Sequence, residues 1–265
     1  MNRLNARFDA LKEKNEAALI CYLMAGDPSA DKTLEIVRAL DDAGVDAIEL
    51  GVPFSDPMAD GPSIQASAHR AIANGMNVPG VFETVRKIRT FSQIPIILMT
   101  YYNPTMHYGV ERFAREAAEA GVDATIQTDL TPEEAKEWLE ESNKNGLGSV
   151  FLVAPTSTED RITTATNIST GFVYCVSRTG VTGAQSEVPA QLPAMVARVK
   201  AQTKVAVCVG FGISTPTHVS EIGAYADGVV VGSALINLIA RECDNAAMPE
   251  LVKIWAQSMK AECVR

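Results

Sequence analysis

Short apolar, β-branched runs alternate along this chain with longer stretches whose apolar residues recur every three or four positions. That alternation is the signature of strand–helix–strand units feeding a parallel sheet. The strand-like runs fall at 18–26, 45–51, 94–101, 122–127, 148–154, 171–177, 204–210 and 227–232. Segments such as ADKTLEIVRALDDAG (30–44) and VERFAREAAEAG (110–121) lie between them, several closed by a glycine suited to the left-handed position after a helix. The phrase AGVDAIELG (43–51) returns as AGVDATIQ (120–127) and, more weakly, as YADGVVVG (225–232). Each copy runs a helix end straight into a strand, as expected when one unit is repeated around a ring. Ahead of the first run, Leu4, Phe8 and Leu11 share one face of a further helix. The fold expected is α/β, a single (β/α)8 TIM barrel with an extra N-terminal helix. No Pro/Ser-rich linker or charge block offers a place to divide it, so residues 1–265 are read as one domain.

Length agrees with that reading: 265 residues is close to the roughly 250 of such barrels. With 47% hydrophobic and 21% charged residues, disorder and fibrous repeats are excluded. A net charge of −9 opposes binding to phosphodiester backbones or anionic lipid. The longest apolar run, AALICYLMAG (17–26), is far short of the roughly 18 residues of a bilayer span. The N-terminal helix lacks the apolar centre of a secretory signal, which points to a cytoplasmic protein. Cys21, Cys175 and Cys208 lie in strand-like runs and the other cysteines form no C-x-x-C, so free thiols in a reducing compartment are expected.

In a barrel of this kind chemistry sits where the strands end. Glu49 is a carboxylate among Ile48, Leu50 and Val52 on a strand covered on both sides, where lost hydration would hold it protonated near neutrality. The alternative is a Glu paired with a basic side chain. The following loop, FSDPMADGPS, carries Asp56 and Asp60 between prolines and glycines, and Pro62 suits the first turn of the next helix. Asp60 either caps that helix or divides acid and base roles with Glu49. Glycine-rich turns at 177–185, 209–215 and 230–236 follow strands six, seven and eight. The last two lead into helices whose bare amides suit a phosphate dianion. The stretch from Ser177 to Pro189 is small and polar, a candidate lid. His69, His107 and His218 are too scattered to bind a metal, and no nucleophile elbow is present.

The stretches IELGVPFSDPMADGPSIQ (48–65), GFVYCVSRTGVTGA (171–184), VGFGIST (209–215) and ADGVVVGSALI (226–236) make this sequence resemble the tryptophan synthase α subunit family. The resemblance implies a lyase that cleaves indole-3-glycerol phosphate to indole and glyceraldehyde 3-phosphate. Indole would pass to a β subunit that carries pyridoxal phosphate (PLP), within an αββα heterotetramer, this chain itself holding no cofactor and no metal. It implies that Glu49 shuttles the proton and that Asp60 stabilises charge on the indole ring, with Thr182 bonding Asp60 when the lid closes and Arg178 helping to place the lid. Phosphate would rest on Gly183, Gly212, Gly232 and Ser233, with Phe211 nearby. Tyr22, Met99, Tyr101, Ile126, Thr128, Val153 and Tyr174 would line the rest of the pocket. Where relatives usually read Pro-Asp-Leu-Pro, this chain reads Thr128-Asp129-Leu130-Thr131, which removes two restraints from that loop. Two other readings are a stand-alone enzyme of indole or sugar-phosphate metabolism and a non-catalytic allosteric partner. The indole-3-glycerol phosphate synthase class predicts lysines at strand ends, and the eight runs show none.

Overall fold

The computed structural model describes residues 2–177, 188–210 and 212–265. Its strands are β1 (Ala18–Met24), β2 (Ala47–Gly51), β3 (Ile96–Thr100), β4 (Ala124–Gln127), β5 (Gly148–Val153), β6 (Phe172–Val176), β7 (Ala206–Gly210) and β8 (Gly228–Val231). All lie inside the apolar runs. They pair in parallel in sequence order, and β1 closes on β8 with Ala18 opposite Gly228. The described helices are α1 (Arg3–Lys14), α2 (Ala30–Asp42), α3 (Pro62–Ala73), α4 (Val78–Arg89), α5 (Tyr102–Tyr108), α6 (Val110–Ala120), α7 (Lys136–Lys144), α8 (Glu159–Ile168), α9 (Leu192–Lys200), α10 (Pro216–Gly223), α11 (Ser233–Arg241) and α12 (Met248–Lys260). The (β/α)8 barrel is thus the observed architecture. No described helix is long and apolar enough to cross a membrane.

Strand residues sort into two packed layers. Cys21, Ile48, Leu98, Cys175 and Val209 pack outward with the helices. Ile20, Ala47, Ile97, Ala124, Val150 and Cys208 fill the barrel interior. Helix α1 covers the end where the strands begin: Leu4, Phe8 and Leu11 join the interior cluster, with the Phe8 ring 6.0 Å from that of Phe172. The cysteines described are free, and Cys21, Cys175, Cys208 and Cys263 are buried.

The recurring phrase has a structural cause. In its first two copies the glycine takes a positive φ after the helix, 83° at Gly44 and 101° at Gly121. The next amide reaches back to the helix, from Val45 to the Leu40 carbonyl and from Val122 to that of Ala117, closing the end as a Schellman motif. The aspartate then clamps the strand before it. Asp46 accepts from the Leu19 amide and donates its own N–H to the Leu19 carbonyl. Asp123 does the same with Ile96, and Asp227 with Val207. A fourth clamp uses a hydroxyl: Thr170 Oγ1 accepts from the Ser149 amide. Each even-numbered strand is therefore tied at its start to the odd-numbered strand before it. Cations neutralise the carboxylates, Lys260 and Arg7 on Asp46, Arg3 and Arg89 on Asp123, Lys200 and Arg265 on Asp227.

Candidate active site

The opposite end of the barrel is built otherwise. On β2 the inward positions are Ala47, Glu49 and Gly51, and the whole strand is buried. Glu49 is 1% exposed and its Oε2 has no hydrogen-bond partner. No described basic side chain pairs with it, so the salt-bridged reading does not hold. Burial first, and the nearby Asp60 second, push its pKa up to about 8.

Asp60 belongs to the loop between β2 and α3. It does not cap that helix: Gly61 is the N-cap, with no side-chain bond, and Pro62 occupies the first turn as expected. Its Oδ1 is buried and unpartnered. Burial raises its pKa to about 6, partly opposed by donation from the Tyr101 hydroxyl. Tyr101 also accepts from the Ala59 amide at 3.0 Å, and its ring lies 5.4 Å from that of Phe54. Gln65 closes the loop from the helix side by donating to the Asp60 carbonyl at 2.8 Å. Asp56 is exposed and takes a bond from Ser55.

Both carboxyls therefore resist ionisation for the same reason, lost hydration, but to different extents. Near neutral pH the pair carries a protonated Glu49 and an ionised Asp60, the division of states that acid and base roles require.

Glu49 opens onto a cavity of about 410 Å³, mouth included, lined by Tyr22, Ile64, Met99, Tyr174, Gly212, Ile213, Val230, Gly232 and Ser233. Two tyrosines reach it by leaning over glycines of the next strand. A Cβ on Gly51 would stand 2.4 Å from the Tyr22 hydroxyl, and one on Gly210 would overlap that of Tyr174. At the far wall, α11 begins at Ser233 with no side-chain cap. Its first internal bond is made by the Ile236 amide to Gly232, which leaves the preceding amides without helical partners beside the cavity. The turn after β7 differs from expectation: Thr215 caps α10 by accepting from His218, so Gly212, with φ 84°, meets the cavity through the turn and not through a bare helix end.

The cavity thus gathers Tyr22, Glu49, Met99, Tyr174, Gly212, Gly232 and Ser233 from the expected set. Tyr101 sits above it as the anchor of the Asp60 loop. Ile126 lies in the interior cluster below, and the Thr128 hydroxyl bonds the Thr100 carbonyl. Val153 packs outward among the helices, and it is Leu152 that turns inward. Arg178, Thr182, Gly183 and Phe211 lie outside the described residues. Ile64, Ile213, Val230 and the loop anchor Gln65 were not anticipated; as ordinary apolar and amide residues they carried no local signal. Among the described residues no cluster of His, Cys, Asp and Glu is arranged to hold a metal ion.

Comparison with known proteins places this geometry. A family model described as the tryptophan synthase alpha chain matches residues 8–263. The tryptophan synthase alpha chain of Solibacter usitatus is 46% identical over 260 residues, covering 98% of this chain and 97% of that protein. That of Citrifermentans bemidjiense is 50% identical over 236 residues, covering 89% and 88%. Among solved structures, tryptophan synthase of Mycobacterium tuberculosis superposes with a TM-score of 0.91 at 38% identity, covering 100% of this chain and 99% of that one. The alpha subunit from Legionella pneumophila gives 0.89 at 36%, covering 99% and 98%. With sequence and fold alike matched along its whole length, the chain belongs to the tryptophan synthase alpha chain family, the lyase subunits that cleave indole-3-glycerol phosphate to supply indole to a β subunit.

Proposed function

We propose that Glu49 and Asp60 carry the cleavage between them. The bond from indole C3 to the glycerol side chain breaks once C3 is protonated, and the adjacent glycerol hydroxyl must give up a proton as the aldehyde forms. Glu49, held protonated by burial, delivers the first proton and as a carboxylate takes back the second. Asp60, ionised near neutrality, accepts from the indole N–H and stabilises the positive charge that C3 protonation places on the ring. The phosphate rests on the free amides at the start of α11, around Gly232 and Ser233, with Gly212 across the cavity. Tyr22, Met99 and Tyr174 enclose the flat apolar ring. The observation that carries this reading is that two carboxyls of unlike acidity, each with an unpartnered oxygen, share one end of the barrel with an uncapped helix N-terminus.

Residues 1–265 act in this reading as one unit in the cytoplasm, docked to a β subunit in an αββα assembly. The chain needs no cofactor of its own, PLP belonging to the partner. The decisive assay incubates the purified chain with indole-3-glycerol phosphate, with and without a β subunit, and follows indole and glyceraldehyde 3-phosphate. Equimolar release, faster with the partner, is expected; a preparation yielding neither product overturns the assignment of these roles.

A further inference from the structure

Three features of the barrel fix where the Tyr22 hydroxyl lies. In the β1–β2 ladder Tyr22 is level with Glu49, so the two side chains enter the interior at one height from adjacent strands. Its phenol then leans over Gly51, where a Cβ would come within 2.4 Å of the oxygen and 3.0 Å of the ring carbon that bears it. Gly51 is the next inward position of β2, roughly 6.6 Å beyond Glu49 towards the Asp60 loop at about 3.3 Å per residue. The hydroxyl therefore occupies the face of β2 between the two carboxyls, and the residue is only 3% exposed. Burial, then Asp60 and then Glu49, push its pKa well up, so it remains a neutral hydroxyl throughout the working pH range. The titratable groups facing Glu49 are Tyr22 from β1, Asp60 and Tyr101 at the mouth, Tyr174 from β6 and Cys208 from β7, with no cation among the described ones.

We propose that the Tyr22 hydroxyl is a positioning residue for Glu49, the partner that lets one buried carboxyl serve first as acid and then as base. The inference rests on the proton-carrying role given to Glu49 above. A hydroxyl both donates and accepts. It accepts from Glu49 while the acid is protonated, and it turns to donate to the carboxylate once that proton has gone to indole C3. When Glu49 recovers a proton from the glycerol hydroxyl, Tyr22 turns back, having kept its own proton throughout. A lysine in its place would lock Glu49 in the ionised form, and a phenylalanine would leave the new carboxylate in an apolar wall without a donor.

The test is Tyr22→Phe, which keeps the ring over Gly51 and removes one oxygen, assayed with the β subunit on indole-3-glycerol phosphate. The kcat is expected to fall about tenfold or more, as for loss of a hydrogen bond to a charged group, with KM within about twofold. Removing a donor to the carboxylate raises the proton affinity of Glu49, so the alkaline limb of the kcat profile moves up by about one pH unit. A readout independent of turnover is the infrared carbonyl band of protonated Glu49, identified as the band that Glu49→Gln abolishes, which should persist to higher pH in the Tyr22→Phe protein. If the unaltered protein releases no indole, the functional reading falls and takes this proposal with it. If the unaltered protein is active and the infrared titration of the Tyr22→Phe protein coincides with its own, the proposal alone is overturned, whatever the rate does.

Discussion

The two ends of the barrel treat buried carboxyl groups in opposite ways. Where the strands begin, Asp46, Asp123 and Asp227 each take a backbone amide of the neighbouring strand and are each met by two cations. Where the strands finish, Glu49 and Asp60 keep an oxygen apiece unpartnered, and the groups around them are phenols. A carboxylate whose charge is answered from several sides holds strands in register but has little to offer a substrate. A carboxyl left short of partners raises the energy of its charged form, which is what makes its proton transferable near neutral pH. Stability and reactivity are thus placed at opposite ends of one strand set.

The contrast breaks most visibly at Glu49. Glu49→Gln is expected to lower kcat by about 10²–10⁴-fold in the presence of a β subunit. It should not weaken the fold. Because Glu49 holds its proton up to about pH 8 in the native state and only to the ordinary carboxylate range when unfolded, its contribution to stability is lost as pH rises through that interval. At pH 9 the Gln variant should therefore melt above the unaltered protein, by at least about 2 °C; a lower melting temperature would mean that Glu49 is a structural group like the aspartates at the other end.

Asp123→Ala is the converse experiment. It strips Arg89, which is largely buried and whose pKa burial has already lowered to about 10, of its carboxylate and orphans the Ile96 amide. Urea unfolding should show a loss of about 3–5 kcal/mol, as for a broken buried pair. Activity per folded molecule should be unchanged, and a fall in kcat without a fall in stability would contradict the division of labour.

A milder probe is pH. With Asp60 required ionised and Glu49 protonated, kcat/KM should be bell-shaped, falling about tenfold per pH unit below about 6 and above about 8. A profile flat from pH 5 to 9 would rule out this pair as the proton carriers. Smallest of all is Thr170→Val, which leaves the Ser149 amide without its hydroxyl partner. A loss of about 1–3 kcal/mol is expected in thermal unfolding; no change would show that the fourth clamp is not equivalent to the three made by aspartate.

Much of this was open to reading along the chain, and the exceptions have identifiable physics. The strands were visible because each is an unbroken apolar run between helical periods. That same continuity hid their facing: β5 is buried on both sides, so nothing local says that Leu152 points in and Val153 out. The aspartate clamps were visible as a repeated phrase, but the clamp made by Thr170 was not, because a hydroxyl fills the same role under a different letter. Thr215 was the reverse case, since a Thr three residues before His218 could have been recognised as a cap for α10. The anchoring of the Asp60 loop by Tyr101 joins residues 42 positions apart, beyond any local pattern.

Order and type of the elements, the ring they close, and the two carboxyls worth examining were determined by the sequence alone, because backbone preference and hydrophobic period act over a few residues. Which of those carboxyls go unpartnered, which tyrosine leans over which glycine, and how far each acid is kept from ionising were decided only by the tertiary structure. Those quantities depend on the distance to groups on other strands and on the water removed between them, and neither exists until the barrel has closed.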